Sequence, residues 1–176
     1  MKDKNLFLIG MMGSWKSTVG RKLAATLDMK FIDTDDAIEE MTEMKVADIF
    51  REFNEKRFRE METAFFVEKA KQSGHVFSTG GGIVLSAENR KVLKENGTTF
   101  LLDAFPKTLI DRIHNTTKRP LLTDSDNIED RLKTIWNDRN KFYKDCSHYI
   151  IKTDKLKPEQ VLDEILKILE VPVADH

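Results

Sequence analysis

The stretch richest in chemistry is Gly10-Met-Met-Gly13-Ser14-Trp15-Lys16-Ser17-Thr18. Glycines followed by a lysine and two hydroxyls suit a phosphate. The backbone N–H groups of such a loop converge on an anion, and a helix starting there adds its partial positive charge. Lys16 is placed to reach β- and γ-phosphates and the Ser17 hydroxyl to ligate Mg²⁺, with Gly13, Ser14, Trp15 and Thr18 completing the cradle. The pattern expects glycine immediately before the lysine, and Trp15 stands there. What stays in register is Gly10, Lys16 and Ser17, a match that arises by chance in roughly one chain in ten of this length. Context therefore has to decide.

Five other clusters supply that context. Asp33-Thr34-Asp35-Asp36 would suit a capped helix start. Beside a phosphate loop, the same residues place Asp33 to hold Mg²⁺ through water and Asp35 to take the proton of a hydroxyl that receives a phosphoryl group. Arg59 and Glu62 stand at i,i+3. They read either as a surface ion pair contributing less than about 1 kcal/mol or as a carboxylate aiming a guanidinium at an anionic substrate. Gly80-Gly81-Gly82 would let a ligand touch bare backbone. Arg119, in Arg119-Pro-Leu-Leu, could neutralise charge on a transferring phosphoryl group. Arg139 and Tyr143, at i,i+4, offer a further cation and a hydroxyl.

Positioning these groups requires alternating strands and helices, and the hydrophobic pattern supplies them. Short apolar runs at Asn5–Ile9, Lys30–Asp33, His75–Thr79, Thr99–Leu102 and Tyr149–Lys152 predict strands. Helical spacing follows each run: Val19, Leu23 and Leu27; segments around Ala37–Met41 and Val46–Phe53; a long helix from about Glu55 to Gln72; one after Ser86 that stops near Gly97; and one opened by Pro106. The last two are a helix from about Ile128 to Asp145 and an amphipathic one carrying Val161, Leu162, Ile165 and Leu169. Strands separated by helices predict right-handed βαβ units and a parallel sheet covered on both faces. Ligands of such sheets sit at the carboxyl ends of the strands. The polar stretch 115–130 is longer than an ordinary connection and reads as a lid.

Composition bounds the rest. The 176 residues suffice for one domain with one core. A net charge of −1 lacks the basic footprint of a general nucleic-acid binder. The single cysteine, Cys146, allows no intramolecular disulfide and fits a reducing, cytoplasmic setting. His75, His114, His148 and His176 are scattered without metal-site spacing. The apolar run Leu6–Ile9, continuing through Met11 and Met12, is too short to span a bilayer and runs into Lys16 without a small-residue cleavage site, so neither a signal peptide nor a membrane partner is expected.

Taken in order, Gly-Met-Met-Gly-Ser-x-Lys-Ser-Thr at 10–18, Asp-Thr-Asp at 33–35, Phe-Arg-x-x-Glu at 58–62, Gly-Gly-Gly at 80–82, Arg-Pro-Leu-Leu at 119–122 and Arg-x-x-x-Tyr at 139–143 resemble the shikimate kinase family over nearly the whole chain. The resemblance implies an α/β three-layer sandwich of the P-loop, nucleoside-monophosphate-kinase-like type. It would be a single domain over 1–176 with a five-stranded parallel sheet, a mobile lid at about 115–130 and a substrate-binding helical region at about 34–62. It implies phosphoryl transfer from ATP, with Mg²⁺, to the 3-hydroxyl of shikimate, on the route to chorismate and the aromatic amino acids, by a cytoplasmic monomer. Carried over residue by residue, Lys16, Ser17 and Thr18 would meet the phosphates and metal, Asp33 would assist the metal, and Asp35 would deprotonate the hydroxyl. Arg59 and Arg139, with backbone from Gly80 to Gly82, would hold the substrate. Arg119 would close over the phosphates, and Arg112 and Pro158 would sandwich adenine.

Trp15 is the departure from that pattern. If the loop requires a positive φ there, a non-glycine residue costs about 1–2 kcal/mol, which weakens nucleotide binding roughly tenfold if the strain appears only in the bound state. The expectation is a working kinase with impaired nucleotide affinity. Two rivals stay open: a P-loop kinase of another small hydroxy acid such as gluconate, and a shikimate-binding homologue that has lost ATP through Trp15.

Overall fold

The computed structural model describes residues 3–113 and 127–171. Its centre is β1 (Asn5–Ile9), a strand buried along its whole length. Near-continuous burial is what a parallel strand covered on both faces requires. The other strands are β2 (Lys30–Asp33), β3 (His75–Ser78), β4 (Gly97–Asp103) and β5 (Tyr149–Lys152). All pair in parallel, in the order β2-β3-β1-β4-β5. The register sets Asp33 opposite Ser78, Leu8 opposite Ser78 and Phe100, and Asp103 opposite Lys152, so the carboxyl ends of the strands share one edge.

Successive side chains of a strand point to opposite faces, and β1 shows it. Phe7 and Ile9 pack with Phe66, Phe77, Leu101 and Tyr143 in one core, whereas Leu6 and Leu8 pack with Val19, Leu23, Phe100, Leu102, Val161 and Ile165 in the other. The helices that bring these residues are α1 (Lys16–Thr26), α2 (Thr34–Thr42), α3 (Val46–Lys69), α4 (Ala87–Glu95), α5 (Pro106–Arg112), α6 (Ile128–Cys146) and α7 (Pro158–Ile168). The first core lies under α3, α4 and α6 and encloses Cys146, which is 1% exposed; the second lies under α1 and α7. A third, smaller cluster of Ile38, Ile49 and Phe58 joins α2 to α3. This is the expected three-layer α/β sandwich.

Most predicted elements occur where the pattern put them. The long helix ends at Lys69 rather than near Gln72, and it is continuous with the preceding segment except for a kink at Asn54, where φ is 74° and ψ 169°. Strand β4 runs beyond the predicted Thr99–Leu102 at both ends, because Gly97, Thr98 and Asp103 pair with neighbours although they are not apolar. Of the predicted lid, residues 115–126, including Arg119, lie outside the described residues. Among the described residues no helix is long and apolar enough to cross a membrane.

Candidate active site

The loop between β1 and α1 takes the shape a phosphate needs. Gly13 has φ 79° and Trp15 has φ 68°, ψ 17°, both in the left-handed region. Trp15 is the N-cap of α1 but makes no side-chain capping bond. A Ser or Asp cap would consume first-turn N–H groups; an indole leaves those of Lys16, Ser17 and Thr18 for an incoming anion. Ser14 is fully buried, and Lys16, 8% exposed, folds back over the loop with Nζ donating to the Met11 carbonyl at 2.8 Å. Thr18 is exposed on the first turn.

Oxygen ligands gather at the next two strand ends. Ser17 Oγ donates to Asp33 Oδ2 at 2.6 Å and lies 3.0 Å from Ser78 Oγ. Asp33 also caps α2, its Oδ1 accepting from the Asp35 amide at 3.2 Å. Asp33 therefore serves helix start and site together. Neutral hydroxyls and one carboxylate fit a hard cation held mostly by phosphate oxygens and water, as Mg²⁺ is. Among the described residues there is no group of three or more His, Cys, Asp or Glu able to hold a metal without a ligand's help.

On the β2–β3 side opens a cavity of about 640 Å³, lined by Ser17, Asp33, Asp35, Arg59, Gly80, Gly81, Gly82 and Arg139 among others. Glu62 sits behind it, 0% exposed; its Oε2 accepts from Arg59 Nη1 at 2.8 Å, while Glu55 on the preceding turn holds Arg59 Nη2 at 3.1 Å. Burial works against the charged guanidinium, yet Glu62 and Glu55 outweigh it and hold Arg59 above its ordinary range. Arg139, 7% exposed, donates to the Gly81 carbonyl at 3.0 Å, and the Tyr143 hydroxyl donates to the same oxygen. Burial pushes that phenol up to about 12, so it stays a donor at neutral pH.

Asp35 lines the same cavity. Its Oδ1 is enclosed and accepts no hydrogen bond, as is Oε1 of Glu62. Burial, then Glu62 and Asp33, push its carboxyl up to about 7, while Lys16 and Arg59 pull the other way. Only glycine fits between the two orphan oxygens: a Cβ on Gly80 would stand 2.6 Å from Glu62 Oε1 and 2.7 Å from Asp35 Oδ1, and one on Gly82 would run into the Arg59 guanidinium.

The residues so assembled match, along nearly the whole chain, a known family. The family model for shikimate kinase matches residues 12–170. Shikimate kinases of Caldanaerobacter subterraneus subsp. tengcongensis and of a Sulfurihydrogenibium species are 40% and 42% identical, over 93% of this chain in each case and 95% and 96% of theirs. The chain belongs to the shikimate kinase family. A shikimate kinase from Acinetobacter baumannii, solved in complex with shikimate, superposes with a TM-score of 0.91 at 33% identity, covering 95% of this chain and 93% of that one.

For this family member the structure brings together Lys16, Ser17, Asp33, Asp35, Arg59, Gly80–Gly82 and Arg139. Arg112 stands on the other side of the loop, and its guanidinium donates to the Thr153 carbonyl and hydroxyl, at 2.6 and 3.0 Å. Its flat face is covered by Trp15, with Cζ 3.4 Å from the ring centroid. Pro158 is the half-buried first residue of α7, which Lys22 ties to α1 through Glu159. Sequence reasoning missed Ser78, Glu55 and Thr34, whose hydroxyl accepts from the Gly80 amide at 2.9 Å. Glu55 could have been found from its i,i+4 spacing to Arg59; Ser78 and Thr34 carry no spacing to betray them.

Proposed function

We propose that this chain transfers the γ-phosphoryl group of ATP to the 3-hydroxyl of shikimate, giving shikimate 3-phosphate and ADP. The observation that carries the reading is the Asp35 carboxyl, one oxygen of it enclosed and unpartnered, in the wall of a cavity that two restrained guanidiniums share with the phosphate loop. Arg59 and Arg139 hold the substrate carboxylate, which favours a hydroxy acid over a neutral sugar. Backbone at Gly80–Gly82 meets the ring hydroxyls. Asp35 accepts the proton of the 3-hydroxyl as that oxygen attacks the terminal phosphorus. Lys16, with the amides of 13–18, stabilises negative charge as the β–γ bridging oxygen departs. Ser17 and Asp33 hold Mg²⁺, which when bound neutralises phosphate oxygens. Arg119 closes over the phosphates in the same reading, and the reaction belongs to a monomer in the cytoplasm.

A coupled assay of ADP release tests it. Shikimate-dependent release at saturating MgATP is the expected result. Shikimate binding without turnover would make the chain a binding protein, and turnover of gluconate in preference to shikimate would reassign the substrate.

A further inference from the structure

In-line transfer sets acceptor and leaving group on opposite sides of the transferring phosphorus. The acceptor cavity opens on the β2–β3 side of the loop, so the nucleoside end of the donor must extend toward the ends of β4 and β5. There the strongest flat feature is the Trp15–Arg112 stack. Arg112 is the last residue of α5, and its two bonds to Thr153 lie in the guanidinium plane, fixing that plane and leaving its faces as the available surfaces. One face is taken: at 3.4 Å the indole is in van der Waals contact and no ring fits between. A purine, being flat and polarisable, is drawn to the same kind of surface for the same reasons.

We propose that the Trp15 indole is a resident occupant of the Arg112 guanidinium face, and that the base of the phosphate donor must displace it to stack there. The inference rests on the kinase reading and deepens it. Trp15 becomes a residue that sets nucleotide affinity by competition through its side chain, separately from the strain of its backbone at φ 68°. Its substitution changes how tightly nucleotide is held without touching the shikimate cavity.

Calorimetry of MgADP separates these effects, because Trp15→Ala keeps a Cβ on the left-handed backbone but removes the indole, whereas Trp15→Gly removes both. Competition predicts that Trp15→Ala tightens MgADP by about tenfold, the change worth ~1.4 kcal/mol, and that the gain vanishes when Arg112→Ala is already present. A gain confined to Trp15→Gly would assign the whole effect to backbone strain and overturn the proposal. Weaker binding by Trp15→Ala would make the indole a platform for the base and overturn it as well. Should Arg112→Ala fold poorly, a second measurement decides: with Trp136→Phe leaving Trp15 as the sole tryptophan, MgADP must shift its emission to the red as the ring leaves the guanidinium. An unchanged spectrum at saturation removes the proposal. Absence of MgADP binding by every variant, with shikimate binding intact, would instead remove the kinase reading and this inference together.

Discussion

At the scale of single residues the proposed chemistry turns on Asp35. Its carboxyl titrates near 7 rather than 3.8, chiefly because it is buried and then because Glu62 and Asp33 face it. A base is useful only when ionised, so kcat/KM for shikimate is expected to fall as pH drops through about 7, by about tenfold per unit below it. Asp35→Asn is expected to lower kcat by about 10²–10⁴-fold while shikimate affinity measured by calorimetry changes little. Stability runs in the opposite sense. Because the folded-state pKa lies above the unfolded one, the folded protein binds more protons between the two values, and ionising Asp35 destabilises it as pH rises from about 4 to 7. Asp35→Asn should therefore raise Tm at pH 8 and leave it nearly unchanged at pH 3, where the carboxyl is protonated in both states. The aspartate's place beside a phosphate loop was legible in the spacing of 33–35. Its partners were not, since Glu62 reaches it only through the packing of α3 on α2, which no local pattern encodes.

The element that aims Arg59 is the second half of α3, and its direction is set by the kink at Asn54. With φ 74° and ψ 169°, Asn54 occupies a region that glycine alone enters without strain, at a cost of about 1–3 kcal/mol. Its Oδ1 returns part of that by accepting from the Arg57 amide at 3.1 Å, which restarts the helix. Replacing such a cap by glycine costs a few tenths of a kcal/mol. Asn54→Gly is thus expected to stabilise by about 1 kcal/mol in urea unfolding, and a loss of stability would show that the cap outweighs the strain. Sequence reading divided this region into two helical segments, one to Phe53 and one from about Glu55, at the place where Asn54 interrupts the helix. It gave no sign of a kinked junction instead of a loop, because asparagine signals a turn and a helix cap equally well. Strands were read more securely: Asn5–Ile9 is buried throughout, and Lys30–Asp33 and Tyr149–Lys152 were found at their predicted bounds although only Ile151 among their residues is buried, whereas β4 was read short because Gly97, Thr98 and Asp103 at its ends are not apolar.

Across the whole molecule, strand order divides the labour. The groups proposed to hold the acceptor stand at the ends of β2 and β3, on α3 and on α6, while Trp15, Arg112 and Thr153 meet toward the β4–β5 side, with the β1–α1 loop between. Arg139→Lys, which replaces a planar fork by a point charge, is accordingly expected to raise KM for shikimate by roughly 10–100-fold with MgADP affinity unchanged; a parallel loss of both would show that the two sides are not independent. The Trp15–Arg112 contact, by contrast, joins residues 97 positions apart and depends on a side-chain direction that only the assembled sheet determines. Another consequence of that assembly concerns Cys146, the last residue of α6, turned into the core with its thiol pushed up to about 11 by burial. A maleimide can react with it only after the carboxyl end of α6 opens, so the rate of alkylation in native buffer works as a stopwatch for that local opening, with no engineered label required.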